Sequence, residues 1–276
     1  MKKLIVSFLF ALGLVSCSNE VPEPDTPEVV PNTSMLLSLD GPDSHYDFEY
    51  DDMGRVLRAE LLNGSMCHYA EYKYDKDHIY ISYRRNEKNV SETAFQEDTL
   101  FLVDGRVDSC AGKFLTDYRI RNKMEADLHY YKFRFNARGE MIYSRVKYVY
   151  PRYKQVRGYE TTYEWKDGNI VKGVNITEES YTSYSYSSLP GNNVYNDPRC
   201  AMSDLYPLVV NGYFGVACKN LMESFEDDDG FGLKYDYELD SQKRVVTIKE
   251  IRTYESYGYF RVEAYNLKWS NAVNGQ

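Results

Sequence analysis

Residues 50–56 read Tyr50-Asp51-Asp52-Met53-Gly54-Arg55-Val56: an aromatic residue, a polar turn with glycine, and an aliphatic residue that begins the next strand. Asp, Asn and Gly accept the positive φ that tight hairpin turns require, so this unit predicts two antiparallel strands joined by a turn. Similar units occur at residues 74–79, 103–107, 135–141, 165–170 and 239–245. We therefore predict six hairpins that follow one another along the chain.

Apolar and polar residues alternate beside these turns. Tyr46, Phe48 and Tyr50 fall on one face of the first predicted strand, and polar or charged residues occupy the other face. This alternation is typical of an antiparallel strand with one buried and one solvated face. The same pattern predicts buried faces formed by Tyr131, Phe133 and Phe135, by Leu233, Tyr235, Tyr237 and Leu239, and by Phe260, Val262 and Ala264.

The second face of these strands argues against a membrane-spanning barrel. It carries charged residues such as Lys132, Arg134 and Lys234, and a basic side chain at the bilayer midplane costs about 2–4 kcal/mol. We therefore predict a single all-β domain over residues 35–276. Its fold is an antiparallel hairpin meander that forms a strongly curved sheet or barrel, surrounded by water, with one short helical insertion.

The hairpin repeat is interrupted once, between about residues 180 and 231. A Tyr/Ser tract at 181–188 is followed by a loop rich in Pro, Gly and Asn, and Ser203 can cap a short helix over 203–210. Long loops inside compact domains are usually functional or disordered. This insertion is therefore the candidate plug, lid or binding edge.

Residues 1–16 have the features of a secretory leader, with Lys2 and Lys3 ahead of an apolar run that is too short to span a bilayer. The sequence Leu14-Val15-Ser16 before Cys17 resembles the lipobox of bacterial lipoproteins. That resemblance implies cleavage before Cys17 and lipidation of its thiol. The alternative is an ordinary secreted protein in which Cys17 falls at this position by chance.

Residues 17–34 are acidic and rich in proline, which predicts an extended tether between the lipidated cysteine and the domain. The acidic start of this tether resembles the export signal that sends lipoproteins of the Bacteroidota to the outer face of the outer membrane. We therefore predict a lipid-anchored outer-membrane protein that faces the cell exterior. The periplasmic face is the alternative.

The overall composition excludes two classes of protein. A net charge of −9 argues against a nucleic-acid partner, because nucleic-acid-binding proteins present basic surfaces. With 43% hydrophobic residues, disorder throughout the chain is excluded. The 28 tyrosines favour sheet over helix.

Several segments in the second half of the chain are similar to the domain-of-unknown-function family 4595. They are Phe214-Gly215, Lys219-Asn220-Leu221, residues 235–240 and the restart at Arg244-Val245. The resemblance covers about residues 40–270. Members of this family are secreted lipoproteins of the Bacteroidota with a porin-like fold. The resemblance therefore implies a barrel-like meander and the localisation of a lipoprotein, and it implies no activity.

Four cysteines follow Cys17, namely Cys67, Cys110, Cys200 and Cys218. An oxidising compartment permits disulfides, and we predict a Cys200–Cys218 bridge across the insertion, with free buried thiols as the alternative. No cysteine spacing resembles a zinc site, and the four histidines are not at metal-ligand spacing from one another. The sequence therefore predicts no metal and no cofactor.

No serine lies in a nucleophile elbow and no glycine-rich loop resembles a phosphate cradle, so the sequence predicts no enzyme. A hydrolase stays an alternative only because carboxylate pairs cannot be located from sequence. Tyrosine is favoured where sugars or proteins bind, which makes the tyrosines of the insertion a candidate ligand surface. They are Tyr181, Tyr184, Tyr186, Tyr195, Tyr206 and Tyr213. The alternative is that tyrosine fills a wide barrel interior.

Together these features predict a non-catalytic cell-envelope lipoprotein that binds an extracellular glycan or protein and touches the membrane only through its lipid. The alternative function is a structural or docking subunit of an outer-membrane assembly.

Overall fold

The computed structural model describes residues 35–42, 44–63, 66–85, 96–114, 127–191, 208–209, 211–254 and 259–270. The predicted leader and tether lie outside these residues. The described residues form sixteen β-strands. They are β1 (Leu36–Asp40), β2 (Ser44–Tyr50), β3 (Val56–Asn63), β4 (Met66–Tyr74), β5 (His78–Arg85), β6 (Gln96–Val103), β7 (Arg106–Phe114), β8 (Asp127–Phe135), β9 (Met141–Tyr150), β10 (Gln155–Lys166), β11 (Asn169–Asn175), β12 (Ser180–Pro190), β13 (Asn220–Asp227), β14 (Phe231–Leu239), β15 (Val245–Tyr254) and β16 (Tyr259–Trp269).

The strands close into a barrel. Each strand pairs antiparallel with its neighbours in the chain, and β1 pairs with β16. Beyond this last ladder, the N–H of Ser270 donates to the carbonyl of Met35 at 2.8 Å. The predicted all-β fold is confirmed, and of the two predicted forms the closed barrel is the one observed.

The repeated turn unit builds the hairpins at one end of the barrel, and all six predicted hairpins are present. In the first, Oδ1 of Asp51 accepts two backbone N–H groups at 2.9 Å each, and Gly54 has a φ of 75°. Asn136 and Asp240 accept in the same way in later turns. In the 240–244 turn, which has no glycine, Lys243 adopts a φ of 60°. In these three turns the unit acts through an acceptor side chain and one residue with positive φ, whereas the turns at 104–105 and 167–168 place two successive residues at positive φ.

The predicted inward faces hold on β2, β8 and β14, where Phe48, Phe133 and Leu233 are buried. The prediction for β16 is wrong. There Val262 is 53% exposed, whereas Glu263 is 8% exposed. The reason is that Glu263 pairs with arginines inside the barrel, so the inward face of this strand carries Arg261 and Glu263 together with the buried Leu267.

Fully buried apolar residues lie directly beside the tight turns. A β-bulge beside five of these turns shifts the register where the second strand begins. The first aliphatic residue of each returning strand is then 0–1% exposed. These residues are Val56, Val107, Met141, Ile170 and Val245.

The region predicted as an insertion contains two barrel strands, β12 and β13, so the connection between them runs over residues 191–219. Of the helix predicted at 203–210, Leu208 and Val209 have helical backbone geometry, and the remainder lies outside the described residues. Within the described part of the chain, no helix is both long enough and apolar enough to cross a membrane.

Candidate functional site

Part of the connection between β12 and β13 lies against the barrel end that carries the tight turns. The N–H of Val107 donates to the carbonyl of Tyr213 at 2.8 Å. The side chain of Asn211 accepts the N–H of Val56 at 3.3 Å and donates to the carbonyl of Gly54 at 3.0 Å. We call Leu208, Val209 and residues 211–218 the plug.

Apolar side chains of the plug enter the barrel core. Leu208, Val209 and Phe214 are 0–2% exposed. The ring of Phe214 meets that of Phe133 edge-on at a centroid distance of 5.1 Å. The plug therefore belongs to the same core as the strands and occupies this end of the barrel.

Three ionisable side chains meet inside the barrel on β6, β7 and β8. Asp98, Cys110 and His129 are 4%, 2% and 5% exposed, and one oxygen, sulfur or nitrogen atom of each lies within 4.8 Å of the others. Nε2 of His129 donates to Oδ1 of Asp98 at 2.7 Å, and Nε2 of Gln96 donates to Oδ2 of Asp98 at 3.0 Å. We call Asp98, Cys110 and His129 the Asp–Cys–His cluster.

Gly112 makes room for this cluster. Register aligns Asp98, Gly112 and His129 on three adjacent strands. A methyl group on Gly112 would lie 2.0 Å from Oδ1 of Asp98 and 2.2 Å from Nε2 of His129, far inside van der Waals contact. A glycine within a strand is a known signal of such a close approach. It is the one sequence signal that could have located this cluster.

Burial changes the pKa of two groups here, the Cys110 thiol and the neighbouring Tyr131 hydroxyl. It raises the pKa of the Cys110 thiol, and the neighbouring charge of Asp98 adds to this effect. A raised pKa favours the neutral thiol of Cys110 over its thiolate while no metal is bound. Burial also raises the pKa of Tyr131, with a further contribution from Tyr148. Tyr131 therefore keeps its hydroxyl proton and its capacity to donate.

An ion-pair network lies on β15 and β16, with β15 eight strands from β7 in the closed order. Arg252 contacts Glu250 at 2.5 Å and Glu263 at 3.1 Å, and Arg261 contacts Glu263 at 2.5 Å. Burial alone would lower the pKa of Arg252, but the two carboxylates outweigh it and raise that pKa. The carboxylates are buried, whereas the arginine side chains are 34% and 44% exposed.

The barrel end opposite the plug is lined by side chains that keep contact with solvent. Residues that are partners on paired strands share a face of the sheet, so Tyr148, Arg157 and Tyr159 point inward with Tyr131. Tyr159 is 39% exposed and Arg157 is also exposed. We call Tyr148, Arg157, Tyr159, Arg252 and Arg261 the mouth.

The four predicted tyrosines that fall within the described residues do not share one surface. Tyr181 faces outward on β12, Tyr184 and Tyr186 face inward from the same strand, Tyr213 belongs to the plug, and Tyr195 and Tyr206 lie outside the described residues. The aromatic residues of the mouth come instead from β9 and β10, which the sequence analysis did not single out.

Cys17 and Cys200 also lie outside the described residues, so lipidation and the Cys200–Cys218 disulfide stay predictions. Cys218 is buried in the plug, and its Sγ lies 3.4 Å from the hydroxyl of Tyr186.

The outer wall of the barrel carries ion pairs between neighbouring strands. They include Glu71 with Arg84 at 3.2 Å, Arg145 with Glu160 at 3.3 Å, and Glu238 with Lys249 at 2.7 Å. Such pairs face water at little cost, whereas basic groups facing lipid are expensive.

The barrel matches solved structures. A porin-like protein from Bacteroides uniformis ATCC 8492 superposes with a TM-score of 0.59 at 12% identity, over 86% of this chain and 95% of that chain. The chain is similar in fold to porin-like proteins. A second such protein, from Bacteroides vulgatus ATCC 8482, gives a TM-score of 0.57 at 12% identity, over 86% of this chain and 99% of that chain. No protein-family model and no curated protein matches the sequence, so membership of family 4595 stays a prediction.

Proposed function

We propose that this protein is a non-catalytic lipoprotein of the bacterial cell envelope whose barrel binds a glycan in its mouth. The observation that carries the proposal is the set of inward-facing Tyr and Arg side chains that remain exposed at the end opposite the plug. Mouths of β-barrels are recurrent sites for small ligands. A ligand that reaches inward-facing side chains has to enter the barrel end, which favours an oligosaccharide over a folded protein.

The chemistry of the mouth supports a ligand with both apolar and hydroxylated faces. Tyr148 and Tyr159 offer ring surface and a hydroxyl at low cost in conformational entropy. Arg157, Arg252 and Arg261 offer planar arrays of N–H donors for hydroxyl or carboxylate oxygens.

The outer wall supports the envelope part of the proposal. Its charged pairs are suited to water, so membrane attachment is assigned to the lipid on Cys17. The porin-like neighbours from Bacteroides agree with a bacterial envelope protein, although their likeness to this chain is one of fold.

Thermal unfolding of the full chain in detergent micelles tests ligand binding. The probes are neutral oligosaccharides (cello-, xylo- and malto-series) and acidic ones (oligogalacturonides and chondroitin fragments). A glycan at a hundred times its dissociation constant adds about 2.7 kcal/mol and raises the midpoint by about 5–10 °C.

Matched variants show whether a hit binds in the mouth. Tyr159→Ala should abolish the shift, whereas Tyr130→Ala should preserve it, because Tyr130 has almost the same exposure (40%) but lies on the outer wall. An equal effect of both variants, or no shift with any glycan, would refute the mouth as the site. In the second case a docking role becomes the better proposal.

Anchoring is tested separately by phase partition in a cloud-point detergent. The unaltered chain should enter the detergent phase, and Cys17→Ser should move it to the aqueous phase. Retention of the variant in detergent would overturn the lipid anchor without bearing on the mouth.

A further inference from the structure

We propose that the Asp–Cys–His cluster is a three-ligand site for a zinc-class transition metal. It is independent of the glycan proposal, because the cluster lies on β6, β7 and β8 and shares no residue with the mouth.

The types of donor atom in the cluster are the first argument for a metal. Oxygen of Asp98, sulfur of Cys110 and nitrogen of His129 are the three ligand types that Zn²⁺ takes in proteins. Their donor atoms all lie within 4.8 Å of one another. Small rotations about the side-chain bonds bring such atoms to a common centre at about 2.0–2.3 Å.

The burial of the cluster and the residues around it are the second argument for a metal. All three residues are at least 95% buried, and buried charged groups in proteins are characteristically paired or bound to a metal. Gly112 leaves the space between the strands that the carboxylate and the imidazole occupy. Gln96 holds the second oxygen of Asp98, as outer hydrogen-bond partners of metal-binding carboxylates do.

Metal type follows from the mixed donors. A thiolate with an imidazole and a single carboxylate disfavours Ca²⁺ and Mg²⁺, which take oxygen ligands. Three protein ligands leave a fourth tetrahedral position for water or a bound molecule.

The test uses the full chain in detergent micelles, stripped with a chelator and titrated with Co²⁺ alone and then with Zn²⁺. We expect one Co²⁺ per chain at this site, with a near-ultraviolet thiolate-to-cobalt absorption band that Zn²⁺ displaces. Cys110→Ser should abolish the band. Gln96→Leu should weaken binding about 10–100-fold.

Two control variants separate this site from other thiols and imidazoles. Cys218→Ser removes another buried cysteine, and His78→Gln removes a histidine that contacts Asp75 at 3.0 Å on the barrel surface. Both should retain the band. A band that survives in Cys110→Ser, or that disappears equally in Cys218→Ser, would overturn the proposal.

X-ray absorption by the zinc-loaded, unaltered chain keeps the proposal falsifiable if Cys110→Ser fails to fold. One sulfur at about 2.3 Å with nitrogen and oxygen at about 2.0–2.2 Å is the expected shell. A shell without sulfur, or a chain that takes up no Co²⁺ or Zn²⁺, would refute the site.

Discussion

Replacing Gly112 with alanine should destabilise the barrel strongly. The added methyl group would lie 2.0 Å from Oδ1 of Asp98 and 2.2 Å from Nε2 of His129, whereas an ordinary contact begins at 3.4 Å. Each atom therefore has to move by more than 1 Å away from the same point, and the 2.7 Å hydrogen bond between them cannot persist.

Two contributions set the size of this effect. Loss of a hydrogen bond to a charged group costs about 1.5–3 kcal/mol. Overpacking of a filled interior costs about 1–3 kcal/mol more. We therefore expect Gly112→Ala to lower the free energy of unfolding by about 3 kcal/mol or more.

Equilibrium unfolding in urea, followed by the fluorescence of Trp165 and Trp269, measures this difference. The matched control is Gly173→Ala on β11, where the nearest neighbours of the new methyl group are the hydroxyl of Tyr184 at 3.3 Å and Cγ2 of Thr161 at 3.7 Å. The control should cost less than about 1 kcal/mol.

A double-variant cycle with Asp98→Ala sharpens the test. Both substitutions remove the same hydrogen bond, so their effects should be less than additive by about 0.5–3 kcal/mol. The reasoning is refuted if Gly112→Ala and Gly173→Ala unfold at the same urea concentration, or if Gly112→Ala and Asp98→Ala are strictly additive.

Three further outcomes are expected. Asn211→Ala should lower the free energy of unfolding by about 1–3 kcal/mol, because it leaves plug-end backbone groups without their partner; an unchanged urea midpoint would contradict this role. Hydrogen bonds to Asp47, and to Asp40 with it, outweigh desolvation and raise the pKa of His45. The contribution of protonated His45 to stability is therefore fully present below about pH 6.5 and is lost as pH rises through the raised pKa. His45→Gln should lower the free energy of unfolding at pH 5.5 and not at pH 9. A difference in urea midpoint between the variant and the unaltered chain that stays constant across this pH range would exclude this contribution. Glu263→Gln should lower the free energy of unfolding more than Glu238→Gln does, since Glu263 is buried between arginines whereas Glu238 pairs with Lys249 on the exposed outer wall; equal midpoints for the two variants would rule out a buried network.

The turns and most of the strands could be predicted because their causes are local. An acceptor such as Asp51 and a residue such as Gly54 determine a hairpin within six residues. Alternation then identifies the inward face wherever the interior is apolar, as at Phe48 and Phe133. The sequence does not distinguish a curved sheet from a closed barrel, because pairing of the first strand with the last has no local signal.

The site could not be predicted because its parts are distant in sequence and join only through register. Asp98 and His129 are 31 residues apart and meet across Gly112. Alternation also fails where the interior is charged. Val262 lies in an apolar position of the pattern, yet the arginine partners of Glu263 stabilise the opposite face inside the barrel.

The seam between β1 and β16 has a consequence for how the chain is made. The second edge of β1 is paired only by β16, the last strand of the barrel, which has eleven residues. A chain that ended before this strand would leave both edges of the sheet unpaired, and unpaired edges are templates for aggregation. A nonsense mutation shortly before residue 259 would therefore produce an aggregation-prone open sheet rather than a slightly smaller barrel. The growing chain needs protection from aggregation until the last strand of the barrel has been synthesised.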